Sequence, residues 1–515
     1  MRRRGMFDAV DAGSAMIKAA RVQVGGQGTR FLSRGFSPLS RSREDDSVAL
    51  EEALGLDIHL TLPGEVPPGP GGETPLAISS SMHGNLGVLV LGWKRAVAER
   101  AAARALRGSG GVTSLIISAE AGEMMPGCPP DCVLCVGPPA GAAGQGDFDP
   151  RWFVESLGMM PPAPVLYSGG VGGLGILKGA LGGDRVTHLH DDDGDALLFA
   201  RILGRLHVGR AEDAAARYIA SRAGGVPLPP AMRVVPAAAA VECALGSLAG
   251  QGFDRVVFVD AGSSSTAIGE ASRSGFSLAV AGGAGTGLGV AGALERIPAG
   301  RRTRSLLDWC ANRRSRPWII PESPLERESE NLVLRACVRR AVDERGSPLQ
   351  RFSPGLSEIV VLAGGLSQYG HQTLDDVAAL LGELRPVGVF RAAMDQWDSV
   401  IHLGALRACF AAGPGADPAS LVNLGTFLVP VMDGAGSYDH GAACLRIEIE
   451  GVGRTAVDWG SLVAVPVSAG ETAVAHIVPA RRVDVGEGPG EPAVTAVTGG
   501  VFGFVVDARE NARDM

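Results

Sequence analysis

Positive charge, lysine and aromatic side chains are all scarce in this 515-residue chain. The formal net charge is −8, which argues against nucleic acids and membrane surfaces as partners because both attract positive protein surfaces. Aromatic residues make up 5%, so the core must be built mainly from Ala, Val, Leu and Ile. No apolar run reaches the roughly 20 residues of a membrane helix, and no signal-peptide apolar region follows the basic start. We therefore expect a globular, cytoplasmic protein without nucleic-acid or membrane partners.

Lysine occurs at only three positions, Lys18, Lys94 and Lys178, against 47 basic residues in total. Lys18 follows a glycine turn, where a compact ammonium group suits a phosphate contact, although chance explains this position equally well. The eight cysteines have mostly apolar neighbours, as buried free thiols do. Alternation along one predicted strand puts Cys132 and Cys135 on opposite faces, which argues against a zinc site there.

Strand-like and helical segments alternate along most of the chain and predict an α/β protein. The alternation runs from about 76 to 205 and again over 256–410, with predicted helices at 234–248 and 404–410. After about 430 the runs are short, alternating and separated by turns, which is typical of an all-β unit. The predicted domains are a first lobe at 6–250 containing an inserted α/β subdomain at about 76–205, a second lobe at 251–430, and a small β domain at 431–515.

Three glycine turns, each at the end of a strand-like run, are the most informative feature of the sequence. They read Asp11-Ala12-Gly13-Ser14, Asp260-Ala261-Gly262-Ser263 and Ala363-Gly364-Gly365. In such turns backbone N–H groups can approach an anion, and an Asp at the strand end can hold a hydrated divalent cation. One turn of this kind is usually a plain connection. Three in this order predict a nucleotide cleft divided between two lobes.

The turns suggest a role for each polar residue. Asp11 and Asp260 are predicted to face each other across the cleft as the catalytic and metal-binding carboxylates. Lys18 is placed to reach a β- or γ-phosphate. The last two glycines would leave room for a ring or ribose, and either Glu383 or Gln372 could bind the sugar hydroxyls. The predicted nucleotide-binding residues are Gly13, Ser14, Lys18, Gly262, Ser263, Ser264, Ser265, Thr266, Gly364 and Gly365.

The order of the three turns resembles that of the actin/Hsp70/sugar-kinase superfamily, and residues 11–19 are similar to the actin phosphate loop. Further stretches resemble one family within it, the glutamate (methylaspartate) mutase accessory proteins. These stretches are residues 76–86, 88–92, 163–169, 235–241, 259–266 and 499–509. The resemblance covers roughly residues 6–510. It implies a two-lobed actin/Hsp70-like ATPase fold with an inserted α/β subdomain and a small C-terminal all-β domain.

The resemblance also implies a function. A member of this family would bind ATP and Mg²⁺ and act as a chaperone-like reactivating factor, with a coenzyme-B12-dependent mutase subunit as its partner. Four positions depart from the family pattern: Ser263 replaces a Gly, and Ala267, Ala284 and Thr286 each replace an acidic residue. Metal binding and hydrolysis therefore both stay open. The activity expected is a weak ATPase at most.

Two other functions are compatible with the same residues. The missing acids at Ala267 and Ala284 fit a degenerate, non-hydrolysing scaffold of the same fold that docks a partner protein. A small-molecule kinase of the superfamily would need a catalytic base for a substrate hydroxyl, and no Asp stands convincingly at the expected place.

Overall fold

The computed structural model describes most of the chain. The described residues are 5–13, 15–25, 28–38, 76–80, 86–106, 111–119, 130–138, 148–189, 232–273, 275–346, 349, 351–367, 373–410, 415–432 and 441–509. Within them, no helix combines the length and the apolar character that crossing a bilayer requires.

The strands and helices follow one another in α/β fashion and then give way to strands alone. The strands before residue 250 are β1 (Gly5–Ala12), β2 (Met16–Gly25), β3 (Gly28–Pro38), β4 (Leu76–Ser80), β5 (Leu86–Gly92), β6 (Gly111–Ser118), β7 (Cys132–Val136), β8 (Val165–Ser168), β9 (Val186–Leu189) and β10 (Met232–Pro236). The later strands are β11 (Arg255–Ala261), β12 (Ser265–Ser272), β13 (Gly275–Gly282), β14 (Glu358–Gly364), β15 (Gly388–Met394), β16 (Val422–Val429), β17 (Val431–Met432), β18 (Ala443–Ile449), β19 (Gly453–Asp458), β20 (Leu462–Val465), β21 (Thr472–Pro479), β22 (Val483–Asp484), β23 (Ala493–Thr498) and β24 (Phe504–Asp507). The α-helices are α1 (Arg95–Leu106), α2 (Arg151–Gly158), α3 (Val171–Leu181), α4 (Ala237–Ala249), α5 (Val290–Leu294), α6 (Arg304–Ser315), α7 (Pro324–Arg345), α8 (Leu374–Glu383) and α9 (Ser399–Cys409).

Two sheets repeat one arrangement. The first has the order β10-β4-β1-β2-β3, and the second begins β13-β12-β11-β14-β15. In each, three antiparallel strands form a meander whose first strand pairs in parallel with the next strand of the sheet. The mixed α/β chain therefore has the two-lobed architecture of the actin/Hsp70/sugar-kinase fold, and this prediction is confirmed.

Helices α4 and α9 pack against each other between the two sheets. Helix α9 contacts β1 and β4 of the first sheet, although it follows β15 of the second. The buried cluster around these helices contains Ala9 and Ala77 of the first lobe together with Phe258 and Val361 of the second. This packing joins the two lobes beside β1 and β11, whose carboxyl ends carry Asp11 and Asp260.

An inserted sheet of five parallel strands has the order β6-β5-β7-β8-β9. Strand β4 lies outside it, because β4 pairs with β1 and β10 of the first lobe. The inserted sheet thus begins at β5, later than the start at about 76 expected from the sequence. The expected end at about 205 lies outside the described residues.

Strand β10 also changes the boundaries of a predicted helix. Val234 and Val235 belong to this strand, and helix α4 starts only at Ala237, so the helix predicted over 234–248 begins three residues too early. β-Branched side chains favour the pleated strand here. By contrast, helix α7 begins where local signals place it, since Ser323 and Glu326 form a capping box around Pro324.

The C-terminal strands do not all form a separate unit. Strand β24 pairs with β16 and β20 pairs with β24, so both extend the sheet of the second lobe. The remaining strands form a four-stranded sheet in the order β19-β18-β21-β23 and a small pair, β17-β22. Val505 of β24 lies in the core of the second lobe, whereas Phe504 points into the C-terminal core. The segment predicted as a small β domain is therefore continuous with the second lobe.

Candidate functional site

The first glycine turn closes a tight hairpin between β1 and β2. Gly13 donates its N–H to the carbonyl oxygen of Met16 at 3.0 Å. A Cβ at Gly13 would lie 3.0 Å from that same oxygen, so glycine is favoured at this corner. Asp11 and Lys18 stand opposite each other in the register of the two strands. Ser14 lies outside the described residues.

The second glycine turn repeats this geometry in the other lobe. Gly262 donates its N–H to the carbonyl oxygen of Ser265 at 2.9 Å, and Asp260 stands opposite Ala267. In both hairpins an Asp precedes the closing glycine by two residues. The position of Lys18 in the first hairpin therefore corresponds to Ala267 in the second, so only the first hairpin carries an ammonium group.

The third turn packs directly against the second. Gly364 has a φ of +62°, and a Cβ there would lie 2.1 Å from Oδ1 of Asp260. Gly365 donates its N–H to the carbonyl oxygen of Ala261 at 2.8 Å. The Asp260 carboxylate thus occupies the space beside Gly364, where the sequence had suggested room for a ring or ribose. A contact between these glycines and a nucleoside stays a prediction.

Lys18 is the centre of a charge cluster that joins the lobes. Its Nζ lies 2.8 Å from Oδ2 of Asp398, and both side chains are largely buried. The Asp11 and Asp260 carboxylates are close enough to interact electrostatically with Lys18. Ser79 on β4 donates its hydroxyl to Oδ1 of Asp11 at 3.0 Å. Asp11, Asp260 and Lys18 thus lie within electrostatic range of one another, and Asp398 adds a carboxylate that the sequence pattern did not predict. Their catalytic and metal-binding roles stay predictions.

Burial shifts the protonation equilibria of this cluster. Burial is the main reason that the pKa of Asp11 rises to about 6, while Lys18 acts in the opposite direction. The pKa of Asp260 rises to about 7 for the same main reason, and its neighbours Asp398 and Asp11 add to the rise. Burial disfavours the charge of Lys18, but Asp398, Asp11 and Asp260 outweigh it and raise the pKa of this ammonium. A cation bound beside these carboxylates would favour their charged forms.

The additional acidic residues come from the segment between β15 and α9. Asp395 accepts hydrogen bonds from the backbone N–H groups of Ser399 at 2.7 Å and Val400 at 2.8 Å. Asp398 has a φ of +53°, a left-handed conformation that is uncommon for a residue other than glycine. Helix α9 begins at Ser399, five residues before the helix predicted over 404–410. An Asp-Ser pair ahead of an apolar run is a helix-start signal that would have revealed this segment.

His402, one turn into α9, was also missed. It is buried, and its Nε2 lies 3.4 Å from the carbonyl oxygen of Lys18. Burial lowers the pKa of this imidazole to about 4, so it is neutral at physiological pH. His402 therefore couples the position of α9 to the backbone of β2 without adding charge.

The glycine-rich run at 282–289 braces the second turn. Backbone N–H groups of Gly287 and Gly289 both donate to the carbonyl oxygen of Ser263, at 3.0 and 2.9 Å. The hydroxyl of Ser263 accepts the N–H of Leu288 at 3.2 Å, and that of Thr266 donates to the carbonyl oxygen of Ala284 at 2.8 Å. These two predicted nucleotide-binding hydroxyls thus hold the loop in place. Ser264 is buried and Ser265 is the first residue of β12.

A buried ion pair fixes the same loop from the far side. Arg313 donates to the side-chain and main-chain oxygens of Thr286, at 2.8 and 3.1 Å, and to Oε1 of Glu330 at 3.1 Å. Trp309 donates its indole N–H to the other oxygen of Glu330 at 2.8 Å. Thr286 thus replaces an expected acid with a side chain that serves this network.

Of the two candidates for sugar binding, only Glu383 is described. Its carboxylate accepts from Arg335 at 2.9 Å and Arg339 at 2.8 Å, so it already carries two partners. Gln372 lies outside the described residues.

The described part of the chain contains no group of three or more His, Cys, Asp or Glu side chains arranged to hold a metal ion. Cys132 and Cys135 are buried free thiols within β7. Asp11 and Asp260 interact electrostatically with each other, and one or two carboxylates are what Mg²⁺ usually takes from a protein when phosphates and waters supply its other ligands. The side chains fit an ion brought in by a polyphosphate, and they do not form a protein cage.

Comparisons with known proteins found similar solved structures but no matching family. No family model and no curated protein matches the chain. Among solved structures, it is similar to xylulose kinase from Bifidobacterium adolescentis (12% identity, 82% of this chain and 96% of that one, TM-score 0.31) and to a nucleotide-free acetone carboxylase (10%, 88% and 81%, 0.33). It is also similar to the ethanolamine utilization protein EutJ from Carboxydothermus hydrogenoformans (11%, 79% and 89%, 0.27). The chain spans 66% of the length of a similar Ppx/GppA protein from Aquifex aeolicus (8% identity, 70% of this chain, TM-score 0.21). At these TM-scores the fold assignment depends on the strand order of the two sheets and not on the overlays.

Proposed function

We propose that this protein binds a nucleoside triphosphate, ATP, together with Mg²⁺ between its two glycine hairpins. The observation that carries the proposal is the 2.8 Å ion pair between Lys18 and Asp398, with Asp11 opposite Lys18 in the first hairpin and Asp260 of the second hairpin within electrostatic range. A cation flanked by carboxylates from two equivalent hairpins suits a polyphosphate that carries its own metal ion.

Electrostatics favours a metal-bound ligand over a bare polyphosphate. Asp11, Asp260 and Asp398 all interact with the ammonium of Lys18, and Asp395 and Asp398 also interact with the guanidinium of Arg34. These four carboxylates outnumber the two cations. When all of them are ionised, a free triphosphate would add negative charge to an already negative site. Mg²⁺ supplies positive charge to both partners, so Asp11 and Asp260 would orient it through its bound water. The metal would neutralise the triphosphate and, if hydrolysis occurs, polarise its phosphoryl group.

The ion pair between Lys18 and Asp398 suggests how nucleotide binding would be linked to the angle between the two lobes. A phosphate oxygen would compete with Asp398 for Lys18, and releasing Asp398 frees the start of α9. Because α9 packs against the first lobe, its release would change the angle between the lobes. Such coupling needs ATP and ADP to have different affinities for the two arrangements.

At finer resolution, we propose an accessory, reactivating role for a coenzyme-B12-dependent mutase. The support is the resemblance of six stretches of the chain to glutamate mutase accessory proteins, together with a nucleotide cleft that could drive lobe movement. The partner would be a mutase subunit. A pull-down of a purified B12-dependent glutamate mutase, with and without Mg-ATP, tests this role; no nucleotide-dependent capture would contradict it.

A non-hydrolysing scaffold is the second candidate function. The observation that favours it is Ala267, which stands in the second hairpin where the family resemblance expects an acid. A scaffold would bind nucleotide without releasing phosphate. Phosphate release that is lost in both Asp11→Asn and Asp260→Asn would exclude it.

Isothermal titration with Mg-ATP tests the binding proposal. We expect Lys18→Met to weaken binding at least about tenfold, because a charge-assisted hydrogen bond to phosphate is lost. Asp11→Asn should weaken binding of Mg-ATP more than that of ATP in EDTA. Lys178→Met is the matched control, since this lysine lies on α3 of the inserted sheet. Identical traces for the wild type and both site variants would overturn the proposal.

A further inference from the structure

The inserted five-stranded sheet has a topological switch point of its own. In chain order its strands lie 2-1-3-4-5, so the direction of winding reverses between β5 and β7. Helix α1 covers one face through Ala98 and Ala102, whereas α2 and α3 cover the other through Phe153 and Leu177. In open parallel sheets of this kind, ligands bind at the carboxyl ends of the strands beside the switch point.

The carboxyl ends of β5, β6 and β7 are tied together there. Trp93 donates its backbone N–H to the carbonyl oxygen of Val136 at 3.0 Å, and Ala119 donates to that of Gly92 at 3.0 Å. A Cβ at Gly92 would lie 2.4 Å from the Cβ of Ala98. Glycine at this position therefore allows the first turn of α1 to sit directly on the end of the sheet.

Ser118, the last residue of β6, is a buried donor that has no partner among the described residues. Its side chain is 1% exposed, and its Oγ makes no hydrogen bond to any part of the chain that the structure describes. Ser118 is paired with Gly92 and shares a sheet face with Ile116, which packs on the side covered by α1. The hydroxyl therefore lies on the same face as the first turn of α1. The indole nitrogen of Trp93, in the adjoining turn, is likewise buried and has no hydrogen-bond partner within the described ranges.

The first turn of α1 adds positive potential to these orphaned groups. The first N–H groups of an α-helix have no partner within the helix, and this turn contains no acidic residue. Lys94 immediately precedes the helix, and its Nζ lies 4.5 Å from the centre of the Trp93 ring, with the side chain exposed. Arg95 already pairs with Glu99 at 3.1 Å, so Lys94 is the cation available to a ligand.

We propose that the turn between β5 and α1 binds the phosphate group of a small phosphorylated ligand. The N–H groups of the first turn of α1, the hydroxyl of Ser118 and the ammonium of Lys94 together supply the donors that a phosphate requires. This site is separate from the cleft at Lys18 and does not depend on it. It gives the inserted sheet a ligand-binding role of its own.

Because the chain has only three lysines, acetylation of Lys94 can be measured separately from that of Lys18 in the cleft and of Lys178 on α3. Limited acetylation of the full-length protein followed by mass spectrometry reports the reactivity of Lys94, with Lys178 as the internal reference. The probes are inorganic phosphate, pyrophosphate and adenosine 5′-monophosphate, each compared with chloride at equal ionic strength. Protection by phosphate alone would indicate a free-anion site, and stronger protection by the monophosphate would indicate a phosphate ester.

We expect phosphate-bearing probes to lower acetylation of Lys94 several-fold while Lys178 is unchanged. Ser118→Ala should weaken this protection about tenfold, the effect of losing a hydrogen bond to a charged group. The same variant should melt no lower than the wild type without phosphate, because its hydroxyl has no partner to lose. Unprotected Lys94, protection unchanged by Ser118→Ala, or a large loss of stability in this variant would each overturn the proposal.

Discussion

At the scale of single residues, the candidate site depends on one ammonium group among carboxylates. Lys18 pairs with Asp398, while Asp11 and Asp260 lie close by and have raised pKa values. The sequence could predict Asp11, Lys18 and Asp260, because each follows or flanks a glycine turn at the end of a strand. It did not predict Asp398, which reaches the site only through the packing of α9 on the first lobe.

The raised pKa of Asp11 leads to a pH-dependent stability. The folded state keeps the proton up to about pH 6, whereas the unfolded chain loses it near 3.8, so stability falls as pH rises through this interval. Without metal or nucleotide, Asp11→Asn should therefore be more stable than the wild type at pH 8, by up to about 3 kcal/mol, and similar at pH 4. Urea unfolding at both pH values measures the difference.

The exposed Asp184 supplies the control for that experiment. Asp184→Asn should change stability little at either pH. The free energy of unfolding of Asp11→Asn could instead change with pH as much as that of the wild type. The carboxyl of Asp11 would then not titrate in a buried cluster, and the electrostatic account of the site would be wrong.

At the scale of elements, the two glycine hairpins set the positions of the site residues, and the glycine-rich run at 282–289 braces the second hairpin. Local signals predicted the glycine turns, because hydrogen bonds between near neighbours determine them. They misplaced the start of α4, where the pairing of β10 with β4 extends the strand through Val235. They also could not predict the contacts of the Ser263 and Thr266 hydroxyls with the glycine-rich run. These contacts join residues that are 25 and 18 positions apart in the sequence.

The buried ion pair between Arg313 and Glu330 leads to a second prediction. Arg313→Met would leave Glu330 buried without its cation, and we expect a loss of about 3–5 kcal/mol in the free energy of unfolding. Adding Glu330→Gln should recover much of this loss, because the amide is neutral and its oxygen can still accept from Trp309. Chemical denaturation of the three proteins measures both effects. A double variant as unstable as Arg313→Met alone would contradict the role of the buried charge.

At the scale of the whole molecule, the structure contains one architecture twice. The sequence indicated two lobes because strand-glycine patterns recur about 250 residues apart. It could not indicate that β20 and β24 return to the second lobe, since strands of a separate domain and strands that extend a sheet have the same alternation. The position of these two strands depends on which sheet has an unpaired edge strand. Strand β16 is that edge, and β24 pairs with it.

Truncation after residue 430 tests this continuity. Removing β17–β24 would uncover β16 and strip Val505 from the core of the second lobe. We expect the truncated chain to lose its cooperative thermal transition or to aggregate, as exposed apolar edge strands do. A truncated protein that is monomeric by gel filtration and melts within a few degrees of the full chain would show that the C-terminal strands are a separable domain.

The central claim is that both hairpins grip one polyphosphate through Lys18. A crystal structure of the full chain with Mg²⁺ and a non-hydrolysable ATP analogue tests it most directly. The account predicts the phosphates between Gly13 and Gly262, with Nζ of Lys18 turned from Asp398 to a phosphate oxygen and the metal beside Asp11 and Asp260. A nucleotide bound elsewhere, or bound while Lys18 stays on Asp398, would contradict it.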